Sequence, residues 1–165
     1  MMNIRKAVPD DAERLLQLMN EVDDSNLMLY GPGERKTSTE QMQLRIEAMN
    51  KVELSEILVA ESGGKLAGYL MMIGNQQARI KHSIYLVVGV GSRFRGKGAG
   101  TMLLEAMEHW ARQHHIHRIE LTVIAHNETA FSLYKKMGFQ VEGTKNDSLT
   151  IDGQYVDEYY MSKLI

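Results

Sequence analysis

A glycine-rich, basic segment near the middle of the chain carries residue types that bind phosphate. It runs from Val88-Gly89-Val90 into Arg95-Gly96-Lys97-Gly98-Ala99-Gly100-Thr101, that is, from an apolar run into a helical pattern. Glycines let a backbone approach an anion closely, and the first N–H groups of a helix have no partners within it. Arg93 adds a third cation to those of Arg95 and Lys97. The segment predicts a phosphate site, although a solvated basic turn fits the same residues.

Two known phosphate-binding patterns compete for these glycines, and neither fits. The dinucleotide pattern G-x-G-x-x-G fails because Gly96, Gly98 and Gly100 stand at every second position. The P-loop pattern is nearly complete from Gly91, but Gly98 stands where a hydroxyl must hold magnesium. A P-loop-like nucleotide-binding protein is therefore the weaker alternative.

A second group of residues follows the loop at fixed spacing: Asn127, Ala130, Leu133-Tyr134-Lys135-Lys136-Met137-Gly138-Phe139 and Glu142-Gly143. Together with Arg95-Gly96-Lys97-Gly98-Ala99-Gly100, their order resembles that of the GNAT superfamily of acetyl-CoA-dependent N-acetyltransferases. The resemblance is close from about residue 80 to 161 and looser before that. It implies acetyl-CoA as cosubstrate and a primary amine as acceptor. The run from Gly153 to Met161 resembles that of a branch of small bacterial members acting on amino acids or related amines. A CoA-binding sensor without turnover would keep the same motifs and is a second alternative.

The resemblance also implies roles for individual residues. The pantetheine arm would lie against Val88-Gly89-Val90, and the pyrophosphate would lie on the N–H groups of residues 95–101. Asn127 would hydrogen-bond the cofactor, although an asparagine there also caps a helix well, and Lys136 would join the cofactor site. Tyr134 would protonate the leaving thiolate, because a phenol with a pKa of about 10 holds its proton at neutral pH. Packing of its ring within a helix is the other interpretation.

The general base is less clear from the sequence. Some family members that acetylate protein amino termini carry a glutamate five residues before the motif asparagine, where this chain has Thr122. Glu120, His82 and a water relay stay open as routes for the amine proton. A lysine-like amine with a pKa of about 10.4 is handicapped by roughly 4 kcal/mol at neutral pH, an α-amine by less than about 1.5 kcal/mol. The missing carboxylate therefore favours an α-amine acceptor or a water-relayed proton path.

Metal and thiol chemistry are not expected. His114, His115 and His117 lie together, but adjacent histidines point to different faces and no carboxylate or cysteine accompanies them. The chain has no cysteine, which excludes a disulfide framework, a thiolate metal site and a cysteine nucleophile.

The elements that must position these residues follow from the apolar pattern, which predicts the order βααβββαβαββ. We expect the first helix to begin at an aspartate of Pro9-Asp10-Asp11 and the second at a capping box formed by Ser38 and Gln41. The last helix is expected to end at Gly138. The resemblance implies an α/β (α+β) fold with a twisted mixed sheet, helices on both faces and strands splayed near Val90 and Ile124. The predicted strands are residues 4–8, 57–60, 66–73, 83–90, 119–124, 139–142 and 155–161.

Size and charge restrict the class of protein. A chain of 165 residues fits one domain, here residues 1–165. Lys and Arg total 19 against 21 Asp and Glu, a net charge of -2 that gives no general attraction to nucleic acid. Without an apolar run of about 18 residues or a signal-like start, we expect a cytoplasmic protein with no membrane partner. The expected partner is a small-molecule amine or a peptide amino terminus, and a homodimer stays open.

Overall fold

The computed structural model describes residues 1–165 and contains seven strands and four α-helices, in the predicted order βααβββαβαββ. The main difference lies near the carboxyl end, where a strand expected at 139–142 extends to Ile151. The strands are β1 Met2–Lys6, β2 Glu56–Ser62, β3 Lys65–Ile73, β4 Ser83–Val90, β5 Arg118–Ile124, β6 Gln140–Ile151 and β7 Gln154–Leu164. The helices are α1 Ala12–Asp23, α2 Thr39–Lys51, α3 Ala99–Gln113 and α4 Glu128–Lys136.

All seven strands form one mixed sheet in the order β1-β2-β3-β4-β5-β7-β6. Only β4 and β5 run parallel, and every other neighbouring pair is antiparallel. The parallel pair is joined through α3, as a parallel connection requires. The expected mixed sheet is therefore confirmed, with its single parallel junction in the middle.

Helices cover both faces of the sheet, as predicted. Side chains alternate between the two faces along each strand, so Leu70 of β3 faces α3 whereas Tyr69 beside it faces α1 and α2. Each face carries its own buried apolar cluster, of 18 residues on the α3 and α4 side and 13 on the α1 and α2 side. The two clusters hold the helices in fixed positions over the sheet.

The helix ends match the sequence signals in two of three cases. Ser38 and Gln41 form a reciprocal capping box at the start of α2, with bonds of 2.8 and 3.1 Å. Gly138 follows α4 with φ of 96°. Before α1 no aspartate caps the helix; a 3₁₀ turn intervenes, and the buried Asp11 carboxylate accepts the Val8 N–H at 2.8 Å. None of the four helices combines the length and apolar character needed to cross a membrane.

Candidate active site

The parallel strands β4 and β5 separate soon after they begin. They pair only at Ser83, Ile84 and Tyr85 of β4, and the remainder of β4 up to Val90 bonds to β3 alone. The Tyr85 hydroxyl and the Thr122 Oγ1 share a hydrogen bond of 2.9 Å just past the last pair. The edge of β4 that faces the gap therefore has no strand partner beyond Tyr85, and the expected splay is confirmed.

A cavity of about 350 Å³ fills this gap. Because side chains alternate, Leu86 and Val88 form its wall on the α3 and α4 side, whereas Val87 belongs to the α1 and α2 side. On β5, Leu121 forms part of the wall on the α3 and α4 side, and Thr122 beside it faces the opposite side of the sheet. The cavity therefore has walls on both faces of the sheet, and two molecules that approach from opposite faces can meet inside it.

Two polar residues of α4 reach the cavity. Asn127 caps the helix, its Oδ1 accepting the Ala130 N–H at 3.3 Å, and its Nδ2 makes no hydrogen bond within the protein. Tyr134 is buried, with 7% of its surface exposed, and its hydroxyl has no protein partner. Burial raises the pKa of the Tyr134 phenol well above its usual value, so the group holds its proton at neutral pH.

The end of α4 is fixed by two backbone hydrogen bonds around Gly138. Phe139 N–H donates to the Tyr134 carbonyl at 2.9 Å, and Gly138 N–H donates to the Lys135 carbonyl at 3.1 Å. This pattern requires a left-handed residue at position 138, and glycine adopts that conformation without steric cost. Lys136, on the same turn, is exposed and lies outside the cavity wall.

The basic loop joins β4 to α3 through a short 3₁₀ turn, Ser92–Phe94. Gly96 and Gly98 both have positive φ, of 73° and 88°, and α3 begins directly after Gly98. Arg95 and Lys97 are exposed and form no ion pair with a protein carboxylate. The loop thus presents free positive charge and a free helix start at one place.

Two other glycines are closely packed, which the sequence did not indicate. A Cβ on Gly89 would lie 2.5 Å from the buried ring of Tyr69 on β3, so this position needs glycine even before a ligand is considered. A Cβ on Gly100 would lie 2.7 Å from Leu133 Cδ2, which is the end of a flexible side chain and can shift.

The candidate bases named from the sequence lie outside the cavity wall. Glu120 accepts a 2.8 Å hydrogen bond from Arg118 at the paired start of β5. His82 precedes β4 at the end opposite Val88, with its ring 6.4 Å from that of His117. Two of the three neighbouring histidines are hydrogen-bonded to backbone carbonyl groups. His114 Nδ1 lies 2.8 Å from the Trp110 carbonyl oxygen, and His117 Nδ1 lies 2.9 Å from the Ile165 carbonyl oxygen.

The wall on the α1 and α2 side contains charged residues that the sequence analysis missed. Arg35 is held at 2.8 Å by the buried carboxylate of Asp23. Arg45 has no carboxylate partner, and Glu158 is the one carboxylate in the wall. Tyr69 lines the same wall, and its burial raises the pKa of its phenol to about 12. Nothing in the local sequence distinguishes these residues, because only the fold brings α2, β3 and β7 together.

Comparisons with known proteins agree with this geometry. Residues 16–139 match the Acetyltransferase (GNAT) family. The chain is 36% identical over 111 residues to the L-amino acid N-acetyltransferase AaaT of Escherichia coli (strain K12), covering 65% of this chain and 67% of that protein. It is 38% identical over 77 residues to the ribosomal protein uS5-alanine N-acetyltransferase of the same organism, covering 46% of this chain and only 40% of that relative. The crystal structure of a GNAT-family acetyltransferase from Streptococcus pneumoniae superposes with a TM-score of 0.95, at 30% identity, over 100% of this chain and 99% of that one.

Proposed function

The chain belongs to the acetyltransferase (GNAT) family, and on this premise we propose that it transfers the acetyl group of acetyl-CoA to an α-amine, with Tyr134 as general acid. The observation that carries the proposal is the cavity across the splay, with the unpartnered Tyr134 hydroxyl in its wall. A proton donor beside the sulfur stabilises the negative charge that develops there as the thioester breaks.

The cofactor side of the proposal rests on two features of the backbone. The unpaired edge of β4 from Leu86 to Val90 offers N–H and C=O groups to the amides of a pantetheine arm, as an exposed strand edge does for a peptide. The loop from Arg95 to Thr101 offers the pyrophosphate a left-handed glycine, the free N–H groups of α3 and two unpaired cations. Asn127 lines the same cavity, and its Nδ2 is a further donor without a partner in the protein.

The chemistry is a direct displacement. The amine nitrogen attacks the thioester carbonyl carbon, the C–N bond forms, and the C–S bond breaks with its electron pair left on sulfur. Tyr134 then gives its proton to the thiolate. Burial disfavours both the tyrosinate and the thiolate, because each anion loses water. A hydrogen bond from the phenol therefore stabilises the charge on sulfur as it grows, and the proton follows.

The acceptor side favours an amine that also carries a carboxylate. Two guanidinium groups, of Arg35 and Arg45, stand against the single carboxylate of Glu158 in the wall. Since Arg35 is already neutralised by Asp23, Arg45 is the free cation. Arg45 and Glu158 then leave one cation and one anion in the wall, so an α-amino acid can pair with both, whereas a polyamine leaves Arg45 unpaired. Met19, Met28 and Met71 add an adaptable apolar wall suited to an apolar side chain. We therefore infer an α-amino acid with an apolar side chain as acceptor.

An acceptor panel tests the proposal. Release of CoA thiol from acetyl-CoA is measured with L-methionine, L-methioninamide, spermidine and an alanine-initiated peptide. The chain contributes no thiol background because it has no cysteine. We expect the highest kcat/KM with L-methionine. A protein that is stabilised by acetyl-CoA in a melting experiment, yet releases no CoA with any acceptor, would instead be a CoA-binding sensor. Fastest release with the peptide would assign a protein amino terminus as acceptor.

A further inference from the structure

Glu158 places a carboxylate inside the cavity, although the sequence alone gave this residue no role in the reaction. It lies on β7, its side chain is only 12% exposed, and no other Asp or Glu lines the cavity. We propose that Glu158 binds the acceptor ammonium and receives its proton. This assignment rests on the proposed function, because it concerns the amine that attacks acetyl-CoA.

The sheet register explains how β7 supplies this group. Glu158 lies opposite Ile124 of β5, and Tyr160 lies opposite Thr122. Glu158 is therefore the diagonal neighbour of Thr122 on the same face, and such neighbours lie about 7–8 Å apart. Thr122 itself offers no carboxylate at this point of β5. The carboxylate missing from β5 is thus replaced by one from the adjacent strand.

The two oxygens of Glu158 have different surroundings. Oε1 accepts a 2.8 Å hydrogen bond from the Ser148 hydroxyl and lies 3.9 Å from Lys145 Nζ. Oε2 has no hydrogen-bond partner within the protein. The side chain is therefore fixed through one oxygen while the other is free for an N–H of the acceptor. Glu120, by contrast, is held by Arg118 at the closed end of the β4 and β5 junction.

Glu158 and Tyr134 lie on opposite sides of the sheet, and together they account for the protons that move in the reaction. An acceptor ammonium has three N–H protons and the product amide has one, so two protons leave the nitrogen. Glu158 takes the first from the ammonium, which frees the lone pair for attack, and then passes it to solvent. The second passes to solvent as the C–N bond forms, and Tyr134, after giving its proton to sulfur, regains one from solvent. The products are the N-acetyl compound, CoA thiol and one solvent proton.

The pH dependence of turnover tests this assignment. If Glu158 deprotonates bound ammonium, the charged acceptor is the substrate, and kcat/KM for L-methionine stays nearly constant from pH 6 to 8. Glu158→Gln must instead use the neutral amine, so its kcat/KM is expected to fall about 10²–10⁴-fold at pH 7 and to rise with pH until the acceptor amine is deprotonated. Glu158→Asp retains a carboxylate and is expected to retain the flat profile at a reduced rate.

Controls separate this role from a structural one. Glutamine can still accept the Ser148 hydrogen bond, so the melting temperature of Glu158→Gln should match wild type. Glu105→Gln removes the same charge from an exposed site on α3 and should leave the profile unchanged. A Glu158→Gln protein with the wild-type profile, or with an equal loss at every pH, would overturn the assignment. A wild-type protein that releases no CoA with the acceptor panel would overturn the proposed function and this role together.

Discussion

The backbone N–H of Phe139 donates a 2.9 Å hydrogen bond to the carbonyl of Tyr134, and the rings of these two residues lie 5.8 Å apart. The bond closes the end of α4, and Phe139 is buried in the core at the entry to β6. The orientation of Tyr134 is therefore set by the helix end and the core rather than by a hydrogen bond to its hydroxyl. This leaves the hydroxyl free for a ligand.

Tyr134→Phe should therefore separate chemistry from packing. The ring and the helix end stay, so the melting temperature and acetyl-CoA affinity are expected to change little. Turnover should fall about 10²–10⁴-fold, the usual contribution of a general acid, and toward the lower end because water can also protonate a thiolate. In wild type the raised pKa of Tyr134 keeps the acid protonated, so this group causes no loss of activity below about pH 10.

The measurement is CoA release at saturating L-methionine, beside melting curves. Tyr155→Phe is the matched control, because that phenol is 73% exposed and outside the cavity. Equal turnover by wild type and Tyr134→Phe, with acetyl transfer shown to limit the rate, would leave Tyr134 a packing residue only.

Gly98→Val tests the phosphate loop. Gly98 has φ of 88° with nothing within 4 Å of an added Cβ, so the expected cost is backbone strain of about 1–2 kcal/mol rather than a clash. Gly63→Val is a close match, since φ there is 58°, the space is also empty and the turn lies between β2 and β3. Both variants should lose similar stability in urea.

Only the Gly98 variant should also lose acetyl-CoA affinity, because its side chain would crowd the N–H groups at the start of α3. Calorimetric titration with acetyl-CoA measures the difference. Equal affinities for the two variants would move the pyrophosphate away from this loop.

The fold could be predicted from local signals, whereas part of the site could not. The capping box at Ser38, the helix end at Gly138 and the alternation of β3 and β4 each depend on neighbours in sequence. Which residues of β7 face the cavity depends on its register against β5, where Glu158 lies opposite Ile124. That register joins two strands that are separated in sequence by α4 and β6, so Glu158 could not be assigned to the cavity from its local spacing.

Glu120 illustrates the opposite error. Its spacing from Thr122 assigns both to one face, which is correct for a strand. However, β4 and β5 are still paired at Tyr85 and Glu120, so the sheet has not yet opened there, and Arg118 binds the carboxylate. The point at which two strands separate is a tertiary property, and no residue pattern in either strand marks it.

Stability at low pH should depend on Asp11. Hydrogen bonds from Arg5, together with one from Arg14, lower the pKa of the buried Asp11 carboxyl to about 2. A carboxyl whose folded pKa is depressed stabilises the protein above its unfolded pKa of about 3.9, and this stability is lost as pH falls toward 2. Asp11→Asn should lose about 3 kcal/mol at pH 7, the lower end for a broken buried pair, because both arginines retain access to water.

Urea unfolding at pH 7 and at pH 3 measures this effect. The loss caused by Asp11→Asn should be smaller at pH 3, where the wild-type protein has itself begun to lose the contribution. Asp10→Asn, one residue earlier and exposed, is the control and should change stability by less than about 0.5 kcal/mol. The same loss at both pH values would mean that the charge of Asp11 does not contribute to stability.

Arg45→Gln tests whether the acceptor carries a carboxylate. Arg45 lines the cavity without a carboxylate partner, whereas Arg35 is held by the buried Asp23, so only Arg45 is free to bind an acceptor anion. A hydrogen bond between charged groups contributes about 1.5–3 kcal/mol, which corresponds to roughly 10–100-fold in kcat/KM. We expect Arg45→Gln to lose this factor with L-methionine and to keep the wild-type value with L-methioninamide, which has no carboxylate.

Arg79→Gln removes an exposed charge outside the cavity and should alter neither value. An equal loss with both acceptors would show that Arg45 supports the cavity wall without recognising the carboxylate, and an amide that reacts faster than the acid in wild type would favour a peptide amino terminus.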